Sequence, residues 1–181
     1  MNFEAKHLIR WGIPGWVYIS FVFLFFLIND QERLFQYLAA FDVSIVGLTA
    51  VLTGLGIIVG HIIHQMSMLF GFIIWTNWRV YFKNEYNLDK IIMNHKVGKD
   101  IRRIYSYRLG QVHALRALST SGVLSSFTLL LLMNFYSFSL KGLMLLAVSL
   151  LVTVVTLINH YYFKRNFDFF IKQIRRDYRE H

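Results

Sequence analysis

Seven histidines and eleven arginines are the residues of this chain most open to chemical use. His61 and His64 stand three apart, on one face of any helix that holds them, with Gln65 beside them. Asn159 and His160 form a second polar pair, and His113 is the further histidine able to reach their level. Neutral imidazoles meeting there could ligate a metal or relay a proton. The alternative is hydrogen bonding between helices, which membrane helices commonly use. No added ligand at a known spacing names an ion, so the metal stays unknown and no cofactor is required. Arg108 and His113, four residues between them, make another constellation. A guanidinium can hold phosphate while an imidazole assists attack by a ribose hydroxyl. On a straight helix the two side chains diverge by about 140°, so joint action needs a second copy or a bend at Gly110. The alternative is a solvated arginine and a packed histidine, because eleven arginines and seven histidines yield about one such match by accident.

The elements that must position these residues are membrane spans. Of 181 residues, 56% are hydrophobic and only 16% charged, with a mean hydropathy of +0.46. That is too apolar for an ordinary soluble domain. One proline and no cysteine exclude collagen-like, disulfide-stapled and thiolate-metal classes. Uncharged runs predict an all-α polytopic protein with four spans at 13–29, 43–63, 117–138 and 142–163. The first reads as a retained anchor, with Pro14 in the first helical turn and no small-residue cleavage site before Asp30. The run from Val43 to Trp78 overshoots one crossing. The expectation is a span followed by an interfacial helix over 64–82, where Trp75, Trp78 and Tyr81 recur every three residues. A re-entrant hairpin around Gly54, Gly56 and Gly60 is the competing solution. Residues 139–141 form a short external turn that makes spans three and four an antiparallel hairpin.

The net charge of +9 orients the bundle. With residues 1–12 inside, seventeen of the nineteen basic residues fall on that side, and Arg33 and Lys141 fall in the external segments at 30–42 and 139–141. Positive-inside bias therefore predicts that both termini are cytoplasmic. Residues 83–116 read as a cytoplasmic helical segment. Asn87 caps one helix, Gly98 ends it, and Asp100 caps a second that bends at Gly110 or runs on into the third span. Residues 164–181 read as an amphipathic tail, with Phe167, Phe170, Ile171, Ile174 and Tyr178 opposite its basic residues. Arg102, Arg103, Arg175, Arg176 and Arg179 would face anionic inner-leaflet lipid; nucleic acid fits the charge too but is not favoured.

Small residues mark where helices meet. Gly56 and Gly60 form a small-xxx-small face on the second span, and Ser121, Gly122, Ser125 and Ser126 repeat the theme on the third. They serve packing within one copy or a homo-oligomer seam, and the hydroxyls could instead line a pore. No acidic or basic side chain falls inside a span, so the ion pairs of proton-coupled transporters are missing. There is no phosphate-binding glycine loop and no serine-protease-like signature.

The Arg108–His113 spacing is similar to the signature of HEPN ribonucleases, in which paired copies share one RNA site. In layout the chain resembles small multi-span membrane proteins of the prokaryotic inner membrane, nearest the accessory membrane proteins of type VI-B CRISPR systems. One branch of those is similar in size and in the arginine–histidine motif, with fewer spans and a larger soluble part expected. The other is similar in having several spans. That resemblance covers architecture along the chain and sequence over six residues. It implies an oligomeric membrane effector that perturbs the bilayer or regulates a nuclease partner. The leading expectation is a non-enzymatic oligomeric membrane protein acting through a protein partner or a conducting assembly. The alternatives are a membrane-tethered ribonuclease or histidine-metal enzyme, and an assembly or scaffold subunit.

Overall fold

The computed structural model describes residues 3–40, 44–94 and 98–179, and every element among them is helical. In chain order these are α1 (Phe3–Asn29), α2 (Gln31–Ala40), α3 (Ile45–Met68), a π-helical turn (Leu69–Ile73), α4 (Trp78–Asn94), α5 (Gly98–Phe135) and α6 (Leu140–Arg179). α1, α5, α6 and the α3–π run are each long and apolar enough to cross a membrane. The chain is an all-α polytopic membrane protein.

α1 and α5 form the middle of the bundle. α3 packs on both from one side, and α6 packs on both from the other. The α1–α3 seam is made by glycine. A Cβ added at Gly15 would lie 1.8 Å from the Gly56 carbonyl oxygen, and one at Gly60 would lie 1.8 Å from that of Trp11. Backbones that close leave no room for a side chain, and dispersion across the seam replaces the hydrophobic drive that lipid does not supply. Trp16 covers Gly56 and donates from its indole N–H to the Thr53 carbonyl (3.1 Å).

A hydroxyl layer joins α5 to its neighbours. Ser121 donates to the Pro14 carbonyl (2.6 Å), Ser126 pairs with Ser149 (2.9 Å), and Gly122 faces Thr153. Nearer the α5–α6 turn the interior becomes apolar, with Phe21, Phe25, Leu129, Met133, Leu145 and Leu146 buried together. Ser139 caps α6 by accepting from the Gly142 N–H (2.9 Å) and also donates to Asn29. At the same end, Tyr136 donates to Asp30 while Arg33 donates to the Tyr136 hydroxyl (3.1 Å).

At the other end α5 and α6 continue past the bundle. At 38 and 40 residues they run about 57 and 60 Å, roughly twice an apolar bilayer core. Their extensions and α4 enclose a second small core of Leu88, Ile92 and Ile174, flanked by Ile101, Tyr105 and Phe170. We call this three-helix part the head.

Several boundaries differ from those expected. There is no separate interfacial helix over 64–82: residues 64–73 extend α3 through the π turn, and 78–82 open α4. The chain turns over 74–76, and Asn77 then caps α4, its side-chain oxygen accepting from the backbone N–H groups of Arg79 and Val80 (3.2 and 3.4 Å). Asn87 consequently lies inside α4, and Gly98 starts α5 instead of ending a helix. A Cβ at Gly98 would meet the Ile92 carbonyl oxygen at 2.0 Å, so the glycine permits a tight return from α4. α3 runs unbroken through Gly54, Gly56 and Gly60, which overturns the re-entrant hairpin. Pro14 sits well inside α1 because the helix begins at Phe3. The 30–42 segment contains α2, and the 164–179 tail is the unbroken end of α6.

Candidate functional site

Between the bundle and the head lies a cavity of about 420 Å³. Its walls come from the π turn and the residues after it, from α4, from the middle of α5 and from α6. The four elements converge here because α3 ends at the level where α5 and α6 leave the bundle. The π turn, with Ile74 N–H bonded to the Leu69 carbonyl (3.1 Å), widens the last turn of that run. Turns of this kind occur often at functional sites. Trp75 folds back to donate to the Phe70 carbonyl (2.8 Å), and Thr76 donates to that of Phe72 (2.7 Å), which holds the following loop in place.

Arg116 is the charged group at the centre. Its Nη2 donates to the Met68 thioether (2.7 Å) and to His113 Nδ1, and its guanidinium carbon lies 5.7 Å from the Phe72 ring centre. Its Nε is sealed from solvent without a hydrogen-bond partner. Gly71 makes room for this side chain, since a Cβ there would lie 2.9 Å from Arg116 Cδ. Burial draws the guanidinium below its ordinary value, although arginine remains charged at neutral pH. Burial, aided by Tyr81, Glu85 and Asp89, pushes the Tyr105 phenol up to about 12. Tyr81 is shifted upward as well, chiefly by burial and then by Glu85, to which its hydroxyl donates (3.4 Å). Both phenols are therefore neutral donors near pH 7.

Among the described histidines, His64 and His113 meet, whereas His61 and His160 are turned to other partners. His61 stacks edge-on against Trp11 at 5.1 Å and sits 3.5 Å from Gln65. His64 meets His113 edge-on at 6.4 Å, His160 Nδ1 bonds the Val112 carbonyl (3.1 Å), and Asn159 is exposed. Among the described residues no group of three His, Cys, Asp or Glu is placed to hold a metal ion. The interhelical role accounts for His64, His113 and His160.

Arg108 and His113 are likewise separated. Arg108 donates to the Asn166 side-chain oxygen (2.5 Å) and covers the Phe170 ring at 4.5 Å, whereas His113 is held by Arg116. α5 runs through Gly110 without a break, so nothing turns the two side chains to a common point. Gly56, Gly60, Ser121, Gly122, Ser125 and Ser126 all lie inside one chain, buried between its own helices. They form seams within the single chain. Arg102 is exposed, Arg103 pairs with Asp100 (3.6 Å), and Arg175 donates to the Asn84 carbonyl (3.3 Å). Arg176 is exposed, and the side chain of Arg179 lies outside the described part.

Sequence reasoning passed over Arg116 and Gly71. The available signal was a lone cation at the edge of an apolar run, which reads as a boundary marker until the fold covers it. No protein-family model, curated protein or solved structure matches the chain.

Proposed function

We propose that this is a non-enzymatic protein of a prokaryotic inner membrane that works by binding, with both termini and the head in the cytoplasm. The observation that carries the proposal is the continuity of α5 and α6 from bundle to head. The two helices that build the span interior also wall the cavity, so occupancy at the head acts on the spans without an intervening hinge. Orientation rests on charge: seventeen of nineteen basic residues belong to the segments assigned inside. Anionic inner-leaflet lipid is the constant partner of such a surface. A protein partner docks on the head, and copies associate through lipid-facing apolar surfaces, such as the side of α6 exposing Met144, Leu151 and Ile158. The type VI-B resemblance makes a defence nuclease the partner of choice.

The test is a pair of compartment reporters, one inserted at Asp30 and one fused after His181. Opposite compartments are expected, with the C-terminal reporter cytoplasmic. Both reporters on one side, or a C-terminal reporter outside, would overturn the assignment.

A further inference from the structure

The cavity beside Arg116 combines features that a packing defect would not. The guanidinium is half-buried, yet the groups it touches are a thioether, an imidazole and a benzene ring, none of them a carboxylate. Among the described residues no carboxylate lies within ion-pair distance of it. A desolvated charge without a counter-charge is costly, and one more nitrogen, Nε, is left without an acceptor. Lys164 and Arg175 stand on the α6 wall of the same cavity. Its volume lies within the range of small-ligand sites. Glu85 and Asp168 also line it, and carboxylates there would accept from hydroxyl groups while repelling a ligand that is only an anion. The apolar stretch of α5 begins directly after Arg116, at Ala117. The cavity therefore sits where an apolar span gives way to a charged head, the level of lipid phosphates.

We infer that this cavity binds a phosphate ester carrying a hydroxyl-bearing head, with Arg116 holding the phosphate and Glu85 and Asp168 receiving the hydroxyls. Its favoured source is a membrane phospholipid such as phosphatidylglycerol, whose acyl chains lie along the apolar surface while the head enters between α4 and α6. Lys164 adds charge at the wall, and Tyr81 and Tyr105 offer neutral hydroxyls. Gly71 is part of the device, because it lets Arg116 lie against the π turn. The assignment rests on the proposed orientation only for the leaflet from which lipid enters. The chemistry of the cavity is the same in either orientation.

The experiment uses the delipidated full-length protein in a neutral detergent. Binding is read as a rise in melting temperature with concentration for phosphatidylglycerol, phosphatidylcholine and inorganic phosphate. Phosphatidylglycerol is expected to stabilise the protein and phosphatidylcholine to do so at least tenfold more weakly. Arg116→Gln should weaken phosphatidylglycerol binding by about tenfold or more, the equivalent of 1.4 kcal/mol. Lys164→Gln should weaken it by about threefold, and Lys141→Gln, at the opposite end, should leave it unchanged. Competition by millimolar phosphate would identify a soluble phosphate ester as the source; its absence, with lipid binding intact, identifies the lipid. If Arg116→Gln does not fold, Lys164→Gln and Gly71→Ala carry the test, since the latter displaces the guanidinium without removing it. Equal affinity for the two lipids, or phosphatidylglycerol affinity unchanged in every folded cavity variant, would overturn the inference whatever the reporters show.

Discussion

Gly60 and Trp11 meet through bare backbone: a methyl group at Gly60 would lie 1.8 Å from the Trp11 carbonyl oxygen. The α1–α3 seam therefore tolerates nothing larger than hydrogen at this point, and the cost of violating it falls on the single chain.

Gly60→Ala is expected to destabilise the protein by about 1–3 kcal/mol, the usual cost of overpacking. Gly54→Ala, about 1.7 turns away with nothing within 4 Å of its Cβ position, should be neutral or slightly stabilising. Thermal unfolding of both variants in one detergent checks the contrast. Equal behaviour would mean that α1 and α3 do not approach this closely.

The hydroxyl layer yields a second contrast. Ser149 bonds Ser126, so Ser149→Ala should cost about 1 kcal/mol. Ser125 is fully buried and its hydroxyl has no partner, so Ser125→Ala should be neutral or stabilising by a similar amount. Chemical unfolding in mixed micelles measures both, and a loss at Ser125 matching that at Ser149 contradicts the assignment.

For the arginine–histidine pair, Arg108 is committed to Asn166 and His113 to Arg116. Purified protein is expected not to cleave RNA, with Arg108→Lys and His113→Gln indistinguishable from wild type in that assay, and Arg108→Lys should preserve most of the cellular phenotype. Metal-independent RNA cleavage lost in either variant would place the enzyme reading first.

Sequence periodicity carried the architecture, because an uncharged run of span length has few other physical uses. The four apolar helices and the α5–α6 hairpin were legible that way. The end of α3 was not. Trp75 and Trp78 at interfacial spacing suggested a helix lying in the headgroups, whereas the local hydrogen bonds of Trp75, Thr76 and Asn77 make a turn there. Small residues announced close helix contact, but spacing alone does not say whose helix is met; the answer needed Trp11 and Thr153 opposite Gly60 and Gly122. Arg116 was invisible for a related reason. A cation beside an apolar run is ordinary, and only the packing of Met68, Phe72 and His113 around it makes it costly.

The length of α5 and α6 has a mechanical consequence. Where two helices leave the bilayer without a hinge, any change in their tilt is magnified with distance from the membrane midplane. Some 40 Å out along the pair, a change of about 10° sweeps the head sideways by roughly 7 Å. Helices adjust tilt to match bilayer thickness. The head is thus the far end of a lever whose short arm lies in lipid, and a thinning of a few ångströms below becomes a displacement of several ångströms above.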